Sequence, residues 1–117
     1  ALARHIYAGA DMLLMPSRYE PCGLTQMIAM RYGCLPIVHA TGGLSDTVTE
    51  ETGFRFRSAT SRSLRTALVK ALTVYTDRER WRALQQSAMR ADFSWSKSAK
   101  EYFELYESLL EKSVKSL

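Results

Sequence analysis

The sequence has few cysteines and prolines and no long apolar run. Of its 117 residues, two are cysteine and three are proline. Cys22 and Cys34 form no Cys-x-x-Cys pair and have no histidine at metal-ligand spacing, which argues against a structural zinc site and a disulfide framework. The chain also lacks the roughly 20 consecutive apolar residues of a membrane span and the pattern of a signal peptide. These absences predict a soluble, non-secreted protein without a metal site.

The rest of the composition is typical of one globular domain, because 46% of the residues are hydrophobic. The chain does not begin with Met and starts in what looks like a helix, so we expect a piece of a longer protein. Its net charge of +4 is uneven, because nine Lys or Arg between Arg55 and Arg90 stand against two acids, Asp77 and Glu79. Such a cluster can bind a polyanion. No aromatic residues alternate with the charges, however, which favours a solvated helical face over a nucleic-acid surface.

Apolar runs and a helical segment alternate in the first half of the chain. Asp11–Met15 and Leu35–Val38 are short apolar runs that are typical of buried parallel strands. Between them, Gly23–Tyr32 has apolar residues at helical spacing, and Gly33 occupies the position of a C-terminal cap. This strand, helix, strand order predicts an α/β fold with a parallel sheet. Phe54–Phe56 is expected to add an edge strand.

The second half of the chain is predicted to be helical. Ser61 is expected to cap the first helix, Thr76-x-x-Glu79 is a capping box that begins the second, and the third follows Ser94. Each helix has one apolar face. These faces comprise Leu64, Ala67, Leu68, Ala71, Leu72 and Tyr75; Trp81, Leu84 and Ala88; and Trp95, Ala99, Tyr102, Phe103, Tyr106, Leu109 and Leu110. We expect the aromatic face of the third helix to lie in the core or against a neighbouring domain rather than to bind a ligand.

Two polar loops, "PSRYEPCGLT" and "HATGGLSD", follow the first two predicted strands. Parallel strands bring their carboxyl ends to one edge, where α/β proteins bind ligands, so we expect these loops to be neighbours. The N–H groups of Gly23, Leu24 and Thr25 begin a helix and suit a diphosphate. Glu20 either contacts a ligand beside these donors or caps the helix, and the residues alone slightly favour the cap. His39, at a strand end, is expected to bond only the backbone.

The segment from Ala10 to Val48, "ADMLLMPSRYEPCGLTQMIAMRYGCLPIVHATGGLSDTV", resembles the C-terminal domain of glycosyltransferase family 5, the bacterial glycogen synthases and plant starch synthases. The later string "FSWSKSAKEYFELY" is similar to the closing helices of that family and of the broader family 4. The resemblance implies a partial Rossmann-like domain of the GT-B type, with a parallel sheet, flanking helices and a helical C-terminal segment. Residues 1–117 would then be a single domain, the second half of the nucleotide-sugar-binding domain, with a βαβ part at 1–57 and closing helices at 58–117.

The resemblance also implies an activity and its residues. It implies a retaining enzyme that transfers glucose from ADP-glucose to the non-reducing end of an α-1,4-glucan, with no cofactor or metal ion. Glu20 matches the motif acid beside the donor glucose and is the implied catalytic residue. The implied donor-binding residues are Cys22, Gly23, Leu24, Thr25, Thr41, Gly42 and Gly43. Family 4 has a second acid where this sequence has Ile28, and its absence favours family 5.

The implied partners are a nucleotide sugar, ADP-glucose, and an α-1,4-glucan bound through an N-terminal domain that lies upstream of this sequence. The family's basic pair for the leaving diphosphate also lies upstream, so we expect the isolated chain to be inactive. No nucleic acid and no membrane are expected, and the location would be the cytoplasm, or the plastid for a plant enzyme. Two alternatives stay open: a family 4 enzyme with another nucleotide-sugar donor, and a nucleotide-binding module without catalysis. The stretch Arg55–Arg90 could also bind the glucan primer or a polyanionic partner.

Overall fold

A computed structural model of the chain describes residues 2–19 and 23–115, apart from the side chain of Trp95. Along these ranges, helices and strands alternate in the first half and helices alone make up the second. The elements are α1 (Leu2–Gly9), β1 (Met12–Met15), α2 (Thr25–Arg31), β2 (Leu35–His39), α3 (Gly42–Thr47), β3 (Phe54–Phe56), α4 (Ser61–Thr76), α5 (Arg78–Arg90) and α6 (Trp95–Lys115).

The three strands form one parallel sheet in the order β1, β2, β3. Met12 pairs with Leu35 and Ile37 with Phe54, so β2 is the central strand. All five residues of β2 are buried, as expected of a parallel strand with helices on both faces. The predicted α/β fold, its parallel sheet and its edge strand at Phe54–Phe56 are confirmed.

Gly33 ends α2 as predicted. Its φ of +74° lies in the left-handed region, which glycine adopts without the steric cost of a side chain. The N–H of Cys34 donates to the carbonyl of Ala29, and the N–H of Gly33 donates to that of Met30, both at 3.0 Å. In turn, the amide of Gln85 on α5 donates to the Gly33 carbonyl at 3.0 Å. The turn that leads into β2 is therefore held by both its own helix and a neighbouring one.

Trp81 lies at the centre of the packing between the helices and the sheet. Its side chain is 2% exposed, stacks on Phe54 of β3 at a centroid distance of 6.0 Å, and meets Tyr75 of α4 edge-on at 5.0 Å. Such aromatic pairs stabilise a fold beyond the apolar area they bury. The predicted inward face of α5 is confirmed. On α4 the prediction that Leu72 belongs to the inward apolar face is wrong, because Leu72 is exposed and Val74 is buried instead.

The first residues of α4 and α5 differ from the prediction by one position. Thr60, in an extended conformation, is the N-cap of α4 and accepts a hydrogen bond from the N–H of Ser63, so Ser61 is already helical. Asp77 likewise caps α5 by accepting from the N–H of Arg80 at 3.2 Å. The Thr76 hydroxyl instead donates to the Thr73 carbonyl within α4. The predicted capping box is therefore wrong.

Helix α6 stands apart from the sheet. No other helix or strand within the described ranges lies against it, and its large apolar side chains from Tyr102 to Val114 are exposed, with Tyr106 at 63% and Leu110 at 67%. The expectation that this face joins a core is wrong for the described chain, whereas packing on another domain stays a prediction. Among residues 2–19 and 23–115, no helix has both the length and the apolar character needed to cross a membrane.

Candidate functional site

The carboxyl ends of the three strands, Met15, His39 and Phe56, lie along one edge of the sheet because all three strands are parallel. Each strand is followed there by a polar segment. In an open parallel sheet this edge is where ligands bind, since the loops that leave it can vary without disturbing the core. The candidate residues named from the sequence belong to the segments after β1 and β2.

The segment after β1 contains the first group of candidate residues. Glu20 and Cys22 lie outside the described residues. Gly23 is buried, Thr25 is half-buried and Leu24 is 65% exposed. Leu24 is the N-cap of α2, and its side chain has no oxygen, so it cannot accept a hydrogen bond from the N–H groups that begin the helix.

The segment after β2 contains Thr41, Gly42 and Gly43. Gly42 has a φ of +48°, in the left-handed region that glycine adopts without the steric cost of a side chain. The segment is not a loop throughout, because a short helix, α3, begins at Gly42. Leu44, which is fully buried, anchors α3 in the core. This packing stabilises the short helix although it begins with two glycines, which are poor helix formers.

Gln26 joins the two segments and was not among the predicted residues. Its side chain is fully buried, and its Nε2 donates to the carbonyl of Gly23 and to the hydroxyl of Thr47, the latter at 3.0 Å. The Thr47 hydroxyl donates in turn to the carbonyl of Gly43 at 2.8 Å. One continuous set of hydrogen bonds therefore runs from the segment after β1 to the segment after β2. This confirms the expectation that the two segments are neighbours.

The sequence contains a pattern that could have identified Gln26 as a buried polar residue. Residues 26, 29, 30 and 33 lie on one helical face by their spacing, and Ala29, Met30 and Gly33 are apolar or small. Gln26 is therefore a polar residue on a buried face, and such a residue normally has a hydrogen-bond partner. The partner, Thr47, is 21 positions away and belongs to a helix that was predicted as a loop, so the pairing itself was not visible in the sequence.

His39, at the end of β2, links the first segment to the third. Its Nδ1 lies 2.7 Å from the carbonyl of Ser17, and its Nε2 lies 3.1 Å from the carbonyl of Arg57. The ring is buried and stacks on Phe56 at a centroid distance of 5.4 Å. The expectation that His39 bonds the backbone is confirmed. Both carbonyls are acceptors, so a neutral ring can donate to one of them and a protonated ring to both.

Two cavities bordered by described residues have none of Gly23, Gly42 and Gly43 in their walls. The larger, about 980 Å³, lies between α2 and the end of α5, and its walls include Leu24, Ile28, Met89 and Phe93. Leu24 and Ile28, two of the apolar residues at helical spacing on α2, are exposed and border this groove. An apolar wall suits packing against another protein surface better than binding of a diphosphate. The size of the cavity therefore does not make it the functional site.

The smaller cavity, about 480 Å³, lies between β3 and the start of α4. Arg55, Arg62 and Lys70, three of the nine cations in the basic stretch, border it together with serine and threonine side chains. All three cations are exposed. Arg62 and Lys70 belong to the solvated surface of α4 that the sequence favoured, whereas Arg55 is an exposed residue of β3.

The side chains that could bind a metal ion do not lie close enough together in the described part of the chain to form a site. No group of three or more His, Cys, Asp or Glu side chains within residues 2–19 and 23–115 is placed to hold a metal ion. Cys34 is free and fully buried, so it is a small residue of the core. Burial raises the pKa of the Cys34 thiol above its usual 9.0, and the nearby Asp11 carboxylate raises it further.

Comparison with protein families gives one match that covers most of the chain. Residues 3–87 match the family described as glycosyl transferases group 1. The glycogen synthase of Thermodesulfovibrio yellowstonii is 53% identical over 111 residues, which are 94% of this chain and 22% of that protein. The glycogen synthase of Deinococcus deserti is 54% identical over 110 residues, which are 94% of this chain and 25% of that protein. The resemblance stated from the sequence is confirmed.

A solved structure gives the same result. The catalytic domain of starch synthase IV from Arabidopsis thaliana, bound to ADP and acarbose, matches 92% of this chain with a TM-score of 0.80 and 43% identity. The match covers 24% of that chain. This likeness confirms the predicted fold class. The chain spans about a quarter of the length of the relatives it matches.

Proposed function

Because the chain belongs to the group 1 glycosyl transferases, we propose that it is the donor-binding C-terminal part of a glycogen or starch synthase. The whole enzyme transfers glucose from ADP-glucose to the non-reducing end of an α-1,4-glucan and retains the anomeric configuration. The observation that carries this proposal is the 43% identity, at a TM-score of 0.80, to a starch synthase catalytic domain whose structure contains ADP. At that identity the match supports more than a shared fold.

The proposed donor site is the edge of the sheet at which the segments after β1 and β2 meet. Gly23, Leu24 and Thr25 would contact the diphosphate and the sugar from one side, and Thr41, Gly42 and Gly43 would border the same cleft. The hydrogen bonds from Gln26 through Thr47 support this arrangement, since they tie the two groups together. We propose Cys22 as a further donor contact, from its position in the same sequence motif.

The proposed chemistry separates charge across the bond that breaks. Cleaving a sugar–phosphate bond builds positive charge on the sugar ring and negative charge on the departing diphosphate. A site for this reaction therefore places a carboxylate near the sugar and hydrogen-bond donors near the phosphates. Glu20 is the proposed carboxylate, and the N–H groups from Gly23 onward are the proposed donors. The upstream domain would provide the glucan site and the cations that neutralise the leaving diphosphate. Residues 1–117 alone would therefore not catalyse glucosyl transfer.

Glucosyl transfer by the intact protein that carries this chain tests the proposal. With glycogen as acceptor and radiolabelled ADP-glucose as donor, we expect label in the polymer. Glu20→Ala should lower kcat by about a hundredfold or more, because a charge that stabilises the transition state is lost. Glu51→Ala is the matched control, since Glu51 is an exposed acid on the turn before β3. Near-normal glucosyl transfer by the Glu20→Ala variant would contradict the proposed catalytic role of Glu20.

A donor screen separates the open alternatives. We expect ADP-glucose to be used in preference to UDP-glucose and GDP-mannose. Preference for another nucleotide sugar would place the enzyme with the family 4 alternative, and ADP binding without any transfer would favour a binding module. A cytoplasmic location, or a plastid location in a plant, belongs to the same proposal.

A further inference from the structure

Gln26 is the one fully buried polar side chain at the start of α2, and its orientation is fixed by its neighbours. The Gly23 carbonyl can only accept hydrogen bonds, so the side-chain atom that faces it is the Nε2 donor and not the Oε1 oxygen. The second hydrogen of Nε2 is then directed to the Thr47 hydroxyl at 3.0 Å. Both hydrogens of the amide are used. The pairing therefore holds the carboxamide in a single orientation.

The Thr47 hydroxyl connects the Gln26 side chain to the backbone of α3. It accepts from Gln26 and donates to the carbonyl of Gly43 four residues earlier. Gly23 and Gly43 have no side chain of their own to pack, so hydrogen bonds contribute to holding each backbone in position. Within the described chain, Gln26 and Thr47 connect these two backbones by hydrogen bonds.

The burial of Gln26 argues for a role beyond stability. Its Oε1 atom is buried and accepts no hydrogen bond from a described residue. Burying a polar side chain has a desolvation cost, which an apolar side chain of the same size would not have. The two hydrogen bonds that Gln26 donates connect two backbone segments, and an apolar side chain could not form them.

We propose that Gln26 is a positioning residue for the donor site, acting with Thr47 to hold the Gly23–Thr25 segment against α3. The inference rests on the proposed function, because it assigns the two segments to one nucleotide-sugar site. Neither residue is placed in contact with the reacting atoms. Loss of the pairing would let the two walls of the site move apart and would weaken binding of the donor but not of the acceptor.

The experiment compares Thr47→Val with Thr47→Ser in the intact protein. Valine keeps the shape of threonine and removes the hydroxyl, whereas serine keeps the hydroxyl. We expect Thr47→Val to raise the KM for ADP-glucose about tenfold and Thr47→Ser to restore it, since small displacements of positioning groups have effects of this size or larger. The KM for glycogen should not change. Partial unfolding would lower the active fraction and hence the apparent kcat, but it would leave the donor KM unaffected.

Thr73→Val is the matched control. The Thr73 hydroxyl donates to the carbonyl of Val69 four residues earlier, at 2.8 Å, which is the bond that Thr47 makes to Gly43. Thr73 is exposed on α4 and has no glutamine partner, so its replacement should leave the donor KM within twofold of the parent value. Gln26→Met combined with Thr47→Val should raise the KM by less than the product of the two single effects, because both changes remove the hydrogen bond between Gln26 and Thr47.

A donor KM for Thr47→Val within twofold of the parent would overturn the inference while leaving the proposed function intact. Failure of the parent protein to transfer glucose would contradict the proposed function instead. In that case the dissociation constant for ADP, measured by calorimetry, replaces the donor KM. Weaker ADP binding by Thr47→Val with recovery in Thr47→Ser would still support positioning by Gln26, and equal or absent binding in all three proteins would overturn it.

Discussion

The imidazole of His39 lies between two backbone carbonyls, with Nδ1 2.7 Å from Ser17 and Nε2 3.1 Å from Arg57. Ser17 belongs to the segment that leads from β1 towards Glu20, and Arg57 follows β3. One side chain at the end of the central strand therefore connects the ends of both neighbouring strands. Together with the Gln26 and Thr47 pairing, it ties all three segments at this edge of the sheet.

Replacing His39 by Phe should destabilise the chain. The phenyl ring can still stack on Phe56, but it donates no hydrogen bond, so the Ser17 and Arg57 carbonyls lose their partner. We expect the free energy of unfolding in urea to fall by about 1–3 kcal/mol, the usual cost of leaving a buried polar group unpaired. His5→Phe is the control, because His5 is exposed on α1 and its replacement should change stability by less than about 0.5 kcal/mol. Equal stability of both variants would show that the two contacts of His39 contribute nothing.

The sheet could be predicted because its signals are local. Short apolar runs bounded by Pro16, Gly33 and Gly53 indicated the three strands, and the burial of β2 on both faces removed the alternation that would mark an exposed strand. Helix starts were less certain. Thr60 and Ser61 can both cap a helix, and the choice depends on which of them adopts the extended conformation.

The rest of the fold depends on contacts between distant parts of the sequence. The paired glycines predicted a loop, and only the burial of Leu44 in the core makes this segment helical. The pairing of Gln26 with Thr47 has the same origin, because a polar residue on a buried face shows that a partner exists but not where it is. Helix α6 illustrates a different limit. Helical spacing identifies its apolar face and does not tell what covers it.

Gly53 is predicted to tolerate no side chain. A Cβ at this position would lie 2.6 Å from the carbonyl oxygen of Pro36 and 3.0 Å from Cγ1 of Val48. Since the Pro36 oxygen belongs to the backbone of the central strand, the sheet itself would have to move. We expect Gly53→Ala to lower the free energy of unfolding by about 1–3 kcal/mol, as overpacking usually does.

Gly9 provides the control for this change. It ends α1 and a Cβ there would meet no atom within 4 Å. Gly9→Ala should therefore be neutral or raise stability by up to about 1 kcal/mol through the higher helix propensity of alanine. Thermal and urea unfolding of both variants measure the difference. A loss of stability in Gly9→Ala equal to that in Gly53→Ala would mean that the contact with Pro36 is not the cause.

Cys34 should react slowly with thiol reagents while the chain is folded. Burial, and secondarily Asp11, raise the pKa of its thiol, so the reactive thiolate is scarce near neutral pH. In a Cys22→Ser variant, Ellman's reagent at pH 8 should modify Cys34 at least about tenfold faster in urea than in buffer, because unfolding exposes the thiol and restores its usual pKa. Equal rates in the two solutions would contradict the burial of Cys34.

The same shift makes stability depend on pH in the alkaline range. Since the folded-state pKa is raised, the neutral thiol is favoured by folding, and this contribution is complete below the unfolded-state pKa. It is lost as the pH rises from about 9 through the folded-state value. Unfolding in urea at pH 7 and pH 10 should therefore show a larger loss of stability for the parent than for Cys34→Ala. A parallel loss in both proteins would assign the alkaline destabilisation to other groups.

Trp81 and Phe103 should respond differently to truncation, although both lie on the apolar face of a helix. Trp81 is 2% exposed and contacts Phe54 and Tyr75, whereas Phe103 is 63% exposed on α6, against which no described helix or strand packs. We expect Trp81→Ala to cost about 3–5 kcal/mol, the usual range for a large buried aromatic residue. Phe103→Ala should change the stability of the 117-residue chain by less than about 0.5 kcal/mol, because it removes no contact with the sheet. Chemical denaturation of both variants measures the contrast. A large loss for Phe103→Ala would show that α6 packs onto the rest of the chain in solution, since an exposed side chain has no contacts to lose.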